Sequence, residues 1–99
     1  MNLDDVLRIL RAREAELRAR GIERLSVFGS LARGEAGPQS DVDLAAEVTP
    51  EAGWTLIDHG RCAERLAAML SAPVDLVEEP VTRKPRLQAE IDRDRIVAF

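Results

Sequence analysis

Val27-Phe28-Gly29-Ser30-Leu31-Ala32-Arg33-Gly34, with Ser40-Asp41-Val42-Asp43-Leu44 a short loop later, is the stretch that decides the fold. Ten residues separate Ser30 from Asp41. A glycine between a strand and a helix permits a close backbone approach that bulkier residues forbid. The free N–H groups and positive dipole end at Ser30 favour an anion, and its hydroxyl adds a donor. Ser30 is also a good N-cap for a short helix through Leu31-Ala32-Arg33. Arg33, one turn on, reaches a phosphate or pairs with Glu35; the sequence leaves both open.

Asp41 to Val48 reads as a strand, so Asp41 and Asp43 share a face, about 7 Å apart, while Val42 and Leu44 point to the core. Asp75, inside Val74-Asp75-Leu76-Val77, repeats the pattern. Carboxylates on one face resist joint ionisation unless a cation sits between them. Hard oxygen ligands in this number suit Mg²⁺ or Mn²⁺. Two such ions about 3.5–4 Å apart would clamp the attacking and leaving oxygens of a phosphoryl transfer. Taken singly, Asp41 reads as a turn cap, Asp43 as an exposed strand residue and Asp75 as a stabilising acid. Their combination with Gly29-Ser30 points to an enzyme. Other phosphate motifs fail: Glu35 and Ala36 follow Gly34 where a P-loop needs Lys and Ser or Thr, and Gly-x-Gly-x-x-Gly is absent. Asp41-Val42-Asp43 also lacks the glycine and later oxygens of a calcium loop.

Outward from this centre, Leu3, Val6, Leu7, Leu10 and Leu17 predict an amphipathic helix stopped at Gly21. Arg24 to Phe28 is a strand and Gly34 to Ser40 a loop. Thr49-Pro50-Glu51 predicts a helix start, running to about Ser71 with Leu56, Gly60, Ala63, Ala67 and Leu70 as its packing stripe. Val74 to Glu78 is a strand, Arg86 to Arg93 a short helix, and Ile96 to Phe99 a final strand. The order α-β-α-β-α-β-α-β predicts a small α/β or α+β sandwich. Residues 1–99 read as one domain.

Hydrophobic residues are 45% of the chain and aromatic ones 3%, so the core must be aliphatic. The net charge is −4, and without Asp41, Asp43 and Asp75 it would be −1. No strong basic field emerges, which argues against tight unaided binding of long nucleic acid. The arginine clusters read as solvated helix faces. There is no secretory leader and no stretch able to cross a bilayer, so the cytoplasm is the expected location. Cys62 reads as core and His59 as surface. Trp54 reads as packing at a helix end, with an adenine stack as the alternative. Residues 80–85 read as a solvated connection, with a partner or triphosphate contact as the alternative.

The two quoted motifs resemble the minimal nucleotidyltransferases of the DNA polymerase β superfamily, and Val74-Asp75-Leu76-Val77 is similar to that family's third-acid strand. The resemblance implies a palm fold, a small mixed β-sheet flanked by helices. It implies that Gly29 and Ser30, with Arg33 beside them, bind the phosphates of ATP. Asp41, Asp43 and Asp75 would be the catalytic and metal-ligating acids. The reaction would be attack on the α-phosphate with release of pyrophosphate. Members of this size resemble the antitoxin half of toxin–antitoxin pairs. The implied acceptor is a tyrosine of a cognate HEPN-class RNase toxin. A small-molecule or RNA 3′-end acceptor, or an antitoxin that blocks its toxin by binding alone, are the alternatives.

Overall fold

A computed structural model describes residues 1–99. It contains α1 (Leu3–Ala12), α2 (Glu14–Ala19), β1 (Ile22–Phe28), α3 (Gly29–Ala32), β2 (Val42–Val48), α4 (Leu56–Leu70), β3 (Val74–Glu79), α5 (Pro85–Asp94) and β4 (Ile96–Val97). The four strands form one mixed sheet in the order β3-β2-β1-β4. β1 pairs antiparallel with both β2 and β4, and β2 pairs parallel with β3. The architecture is a small α+β one with a mixed sheet, the second of the two classes that the element pattern leaves open and the one that the family resemblance implies.

Alternation along the strands sorts the two faces. Leu25, Val27, Val42, Leu44, Ala46 and Leu76 point to one side. There they meet Val6, Leu10 and Leu17 of α1 and α2 and Cys62, Leu66 and Leu70 of α4, all fully buried. The core is aliphatic, as the composition requires. The other face is covered only in part, where Ile91 of α5 packs on Phe28 and Ala45. The uncovered part of that face carries Asp43 and Asp75.

Most element ends lie within one or two residues of the sequence expectation, with β1 starting at Ile22, β2 at Val42 and β4 ending at Val97, and two differences are larger. The first helix is interrupted at Arg13, although Arg-Ala-Arg-Glu-Ala contains no helix breaker. Tertiary contacts override propensity here: Arg11 at the end of α1 donates to the carbonyls of Ala98 and Val97, 2.8 and 3.1 Å away. Thr49-Pro50-Glu51 opens only a 3₁₀ turn, Pro50–Ala52, closed by Gly53 at φ 59°. The helix proper starts at Leu56 behind a capping box: Thr55 Oγ1 accepts from the Asp58 N–H, and Asp58 accepts from the Thr55 N–H. The buried stripe is therefore Cys62, Leu66 and Leu70, while Leu56 is 91% exposed and Gly60 faces solvent.

Trp54 packs beyond the Val48 end of β2, where its Nε1 donates to the Arg20 carbonyl at 2.8 Å. Asp43 stands at the opposite end of β2, five residues or roughly 17 Å away along the strand, so this indole does not overlie the carboxylates. His59 is half-buried with its ring edge-on to Trp54.

Candidate active site

β1 ends at Phe28 and turns at once into α3. Gly29 makes the turn at φ 72°, a left-handed conformation that glycine alone adopts without strain. A Cβ built on Gly29 would meet the Asp43 carboxylate, 3.1 Å from its Cγ. The glycine is thus required twice, once by its backbone angle and once by the acid packed against it. Phe28, not Ser30, is the N-cap of α3, and no side chain caps the helix. The Ser30 hydroxyl is consequently not used up as a cap and remains half-exposed beside the helix start.

Register places the acids. Phe28 is the partner of Asp43 across β1 and β2, and Asp43 is the partner of Asp75 across β2 and β3. In-register neighbours on adjacent strands lie about 5 Å apart and project to the same side. Asp43 and Asp75 therefore stand side by side on the open face, next to Gly29. Asp41 lies one residue before β2 and is exposed. Burial and the nearby charges of Asp75, Asp41 and Glu90 raise the Asp43 carboxyl above the ordinary carboxylate range.

No group of three or more His, Cys, Asp or Glu side chains is gathered tightly enough to enclose an ion. The arrangement is two paired carboxylates with a third at the margin. That donor set fits Mg²⁺ or Mn²⁺, which are held by one or two carboxylates and complete their shells with water and substrate phosphate oxygens. The elevated Asp43 carboxyl shows the same need from the side of charge: a cation between Asp43 and Asp75 would relieve their repulsion.

Arg33 pairs with Glu35, one of its two sequence readings, and also with a residue the sequence did not suggest. Its Nε donates to Glu35 at 2.9 Å and its Nη1 to Asp94 of α5 at 2.6 Å, with Glu90 3.7 Å away. The Asp94 side chain is 4% exposed and held below the usual carboxylate range by Arg93 first and by Arg33. Arg33 Nη2 has no partner. Glu90 and Asp94 escaped sequence reading because only the path of α5 over the sheet brings them here.

A glycine-serine corner between strand and helix, paired acids on parallel strands and a small mixed sheet with helices are the arrangement of a nucleotidyltransferase. A sequence model of the nucleotidyltransferase domain family matches residues 5–98. The chain is 40% identical over 78 residues to protein adenylyltransferase MntA of Thermococcus cleftensis, covering 78% of this chain and 77% of that one. A solved minimal nucleotidyltransferase is also 40% identical, with a TM-score of 0.75 over 97% of this chain and 95% of the other. A tri-AMPylated HEPN toxin in complex with its MNT antitoxin from Shewanella oneidensis includes a chain with the same fold. It is 19% identical, with a TM-score of 0.66 over 94% of this chain and 71% of that one. The chain belongs to the nucleotidyltransferase domain family and is a nucleotidyltransferase.

Proposed function

We propose that residues 1–99 form one minimal nucleotidyltransferase domain that transfers AMP from ATP to a hydroxyl, most specifically a tyrosine of a cognate HEPN-class toxin, and acts in the cytoplasm as its antitoxin. The carrying observation is the register that sets Asp43 beside Asp75 on the open face, against Gly29. The name of the Thermococcus relative supports protein as the acceptor, and the toxin complex among the structural neighbours supports the kind of protein.

In this reading Gly29 and Ser30 hold the β- and γ-phosphates, and Arg33 turns its uncommitted Nη2 toward them. Asp41, Asp43 and Asp75 would hold Mg²⁺ or Mn²⁺, which when bound supplies positive charge to the phosphate oxygens. Asp75, on the outer of the two acidic strands, orients the acceptor hydroxyl and takes its proton. The acceptor oxygen forms a bond to the α-phosphorus, the α–β bridging bond breaks, and pyrophosphate leaves on the opposite side. Placement of the two reactants accounts for much of the rate.

The test is transfer of label from the α-phosphate of ATP to a HEPN-class toxin protein, with Mg²⁺ present. Label should move to a tyrosine and vanish in the double variant Asp41→Asn, Asp43→Asn. Transfer that survives both substitutions, or label found only on RNA or a small molecule, overturns the proposal.

A further inference from the structure

Of the fourteen basic side chains, only Arg61, Arg83, Lys84 and Arg86 lack a carboxylate or a backbone carbonyl within reach. Three of these four fall within residues 83–86, at the start of α5, and all three are exposed. The first turn of α5 carries no acid. Cations at the positive end of a helix oppose its dipole, so this placement does not serve the helix. Nor does it answer a neighbouring acid. The charge is available to something outside the chain.

The patch adjoins the active site. Lys84, Pro85, Arg86, Leu87 and Glu90 line a surface hollow of about 500 Å³. Glu90 forms its inner wall, and on its other side lies 3.7 Å from Arg33 and near enough to Asp43 to act on its charge. Arg86 is one turn before Glu90, on the same side of α5.

The path of α5 fixes which side of the reaction this is. Near its start the helix is tied to the β3 side, where Gln88 accepts from the Val81 N–H and donates to Glu79. At its end Asp94 reaches Arg33, beside the phosphate corner after β1. Between these two ties Glu90 comes near Asp43, while Asp75 stands on β3 itself, four residues before Glu79. In-line displacement requires the attacking oxygen to arrive opposite the departing pyrophosphate. With the triphosphate held at Gly29 and Ser30, the acceptor arrives from the β3 side, past Arg83, Lys84 and Arg86.

We infer that the Arg83–Arg86 edge and the hollow behind it dock the acceptor protein, and that the acceptor segment carries acidic side chains beside its reacting hydroxyl. This rests on the proposed protein-modifying function. A chain of net charge −4 with an acidic active site repels such a segment, and an unpaired cationic edge at the entrance offsets that repulsion and steers the approach.

The test uses the full chain, a charge-reversed variant (Arg83→Glu, Lys84→Glu, Arg86→Glu) and a neutral one in which the same residues become Gln. Binding to a HEPN-class toxin protein is measured by calorimetry at about 50 and about 300 mM NaCl. Affinity for a non-hydrolysable ATP analogue and α-label transfer are measured in parallel. Acceptor binding should weaken about tenfold or more in the reversed variant and less in the neutral one, with its salt dependence reduced in both and analogue affinity unchanged. Unchanged acceptor binding overturns the inference. So does a loss of analogue affinity with acceptor binding intact, which would make these cations triphosphate ligands. If the unmodified chain binds its partner without labelling it, the functional reading fails and the docking surface stands. If labelling is normal in all three proteins, the surface fails and the function stands. Absence of binding by the unmodified chain overturns both.

Discussion

Gly29 lies against the carboxylate of Asp43, so closely that a single added methyl group would sit 3.1 Å from Asp43 Cγ and nearer still to Oδ2. The glycine corner and the acid beside it are therefore one packed unit. Gly29→Ala should displace Asp43 and force a left-handed angle on an L-residue, costing about 1–2 kcal/mol for the angle alone. Nucleotidyl transfer should fall by at least about tenfold, since misplacement of even an ångström is costly in a positioned reaction. Urea unfolding and a transfer assay on the same preparation check both. Activity near the unmodified level would show that the corner tolerates a side chain.

Asp43 gives a prediction of opposite sign for stability and activity. Burial and the charges of Asp75 and Asp41 raise its folded carboxyl above the unfolded value. Ionised Asp43 therefore destabilises the fold at neutral pH, and the penalty fades as pH falls through the raised folded value. Asp43→Asn should raise the Tm in metal-free buffer and abolish transfer. Mg²⁺ should raise the Tm of the unmodified chain and leave that of the variant nearly unchanged. Thermal scans with EDTA and with Mg²⁺ decide this, and a destabilised variant would contradict the charge account.

On the same sheet face, Glu79 and Arg95 form a paired fork away from the acids. Arg95 Nη1 donates to Glu79 Oε2 at 2.9 Å, Nη2 donates to Oε1, and the buried Ser26 hydroxyl accepts from Nη1 at 2.9 Å. Arg95 holds the Glu79 carboxyl below its usual range despite burial. Its contribution is thus complete above the unfolded value, about 4.3, and is lost as pH falls through the lowered folded value. Glu79→Gln leaves Arg95 with only the exposed Asp92, 3.3 Å away, as counter-charge and should cost about 1.5–3 kcal/mol. Denaturation between about pH 3 and 7 should show a shallower acid limb in the variant. A limb as steep as the original would assign acid sensitivity elsewhere.

Arg33 and Asp94 can be separated. Asp94→Asn removes the charge that binds Arg33 to α5 and should destabilise the fold, while leaving ATP affinity intact or improved. Arg33→Ala removes the proposed phosphate contact and leaves Asp94 to Arg93 alone, so it should lower both stability and ATP affinity. Titration with an ATP analogue distinguishes them. Equal loss of affinity in the two variants would mean that Arg33 only fastens α3 to α5.

The legibility of the site in the sequence followed the range of the forces involved. Gly29-Ser30 and Asp41-Val42-Asp43 are local signals, because a turn and an alternating strand are fixed by adjacent residues. Cys62 was readable as core by the same logic. The packing stripe of α4 was misplaced because Pro50 began a 3₁₀ turn and the true cap, Thr55 with Asp58, lay five residues on. A cap pattern names a possible start, and the core selects which one is used.

By itself the sequence determined the aliphatic core, the order of helices and strands, the glycine turn after β1 and the strand positions of Asp43 and Asp75. These depend on backbone propensity, side-chain alternation and charge, which act over a few residues. Only the tertiary structure decided that β2 and β3 run parallel, so that Asp43 meets Asp75, and that α5 crosses the sheet to put Asp94 on Arg33 and Glu90 near Asp43. Strand register and helix path are set by burial of surfaces distant in the chain, and no local run of residues encodes them.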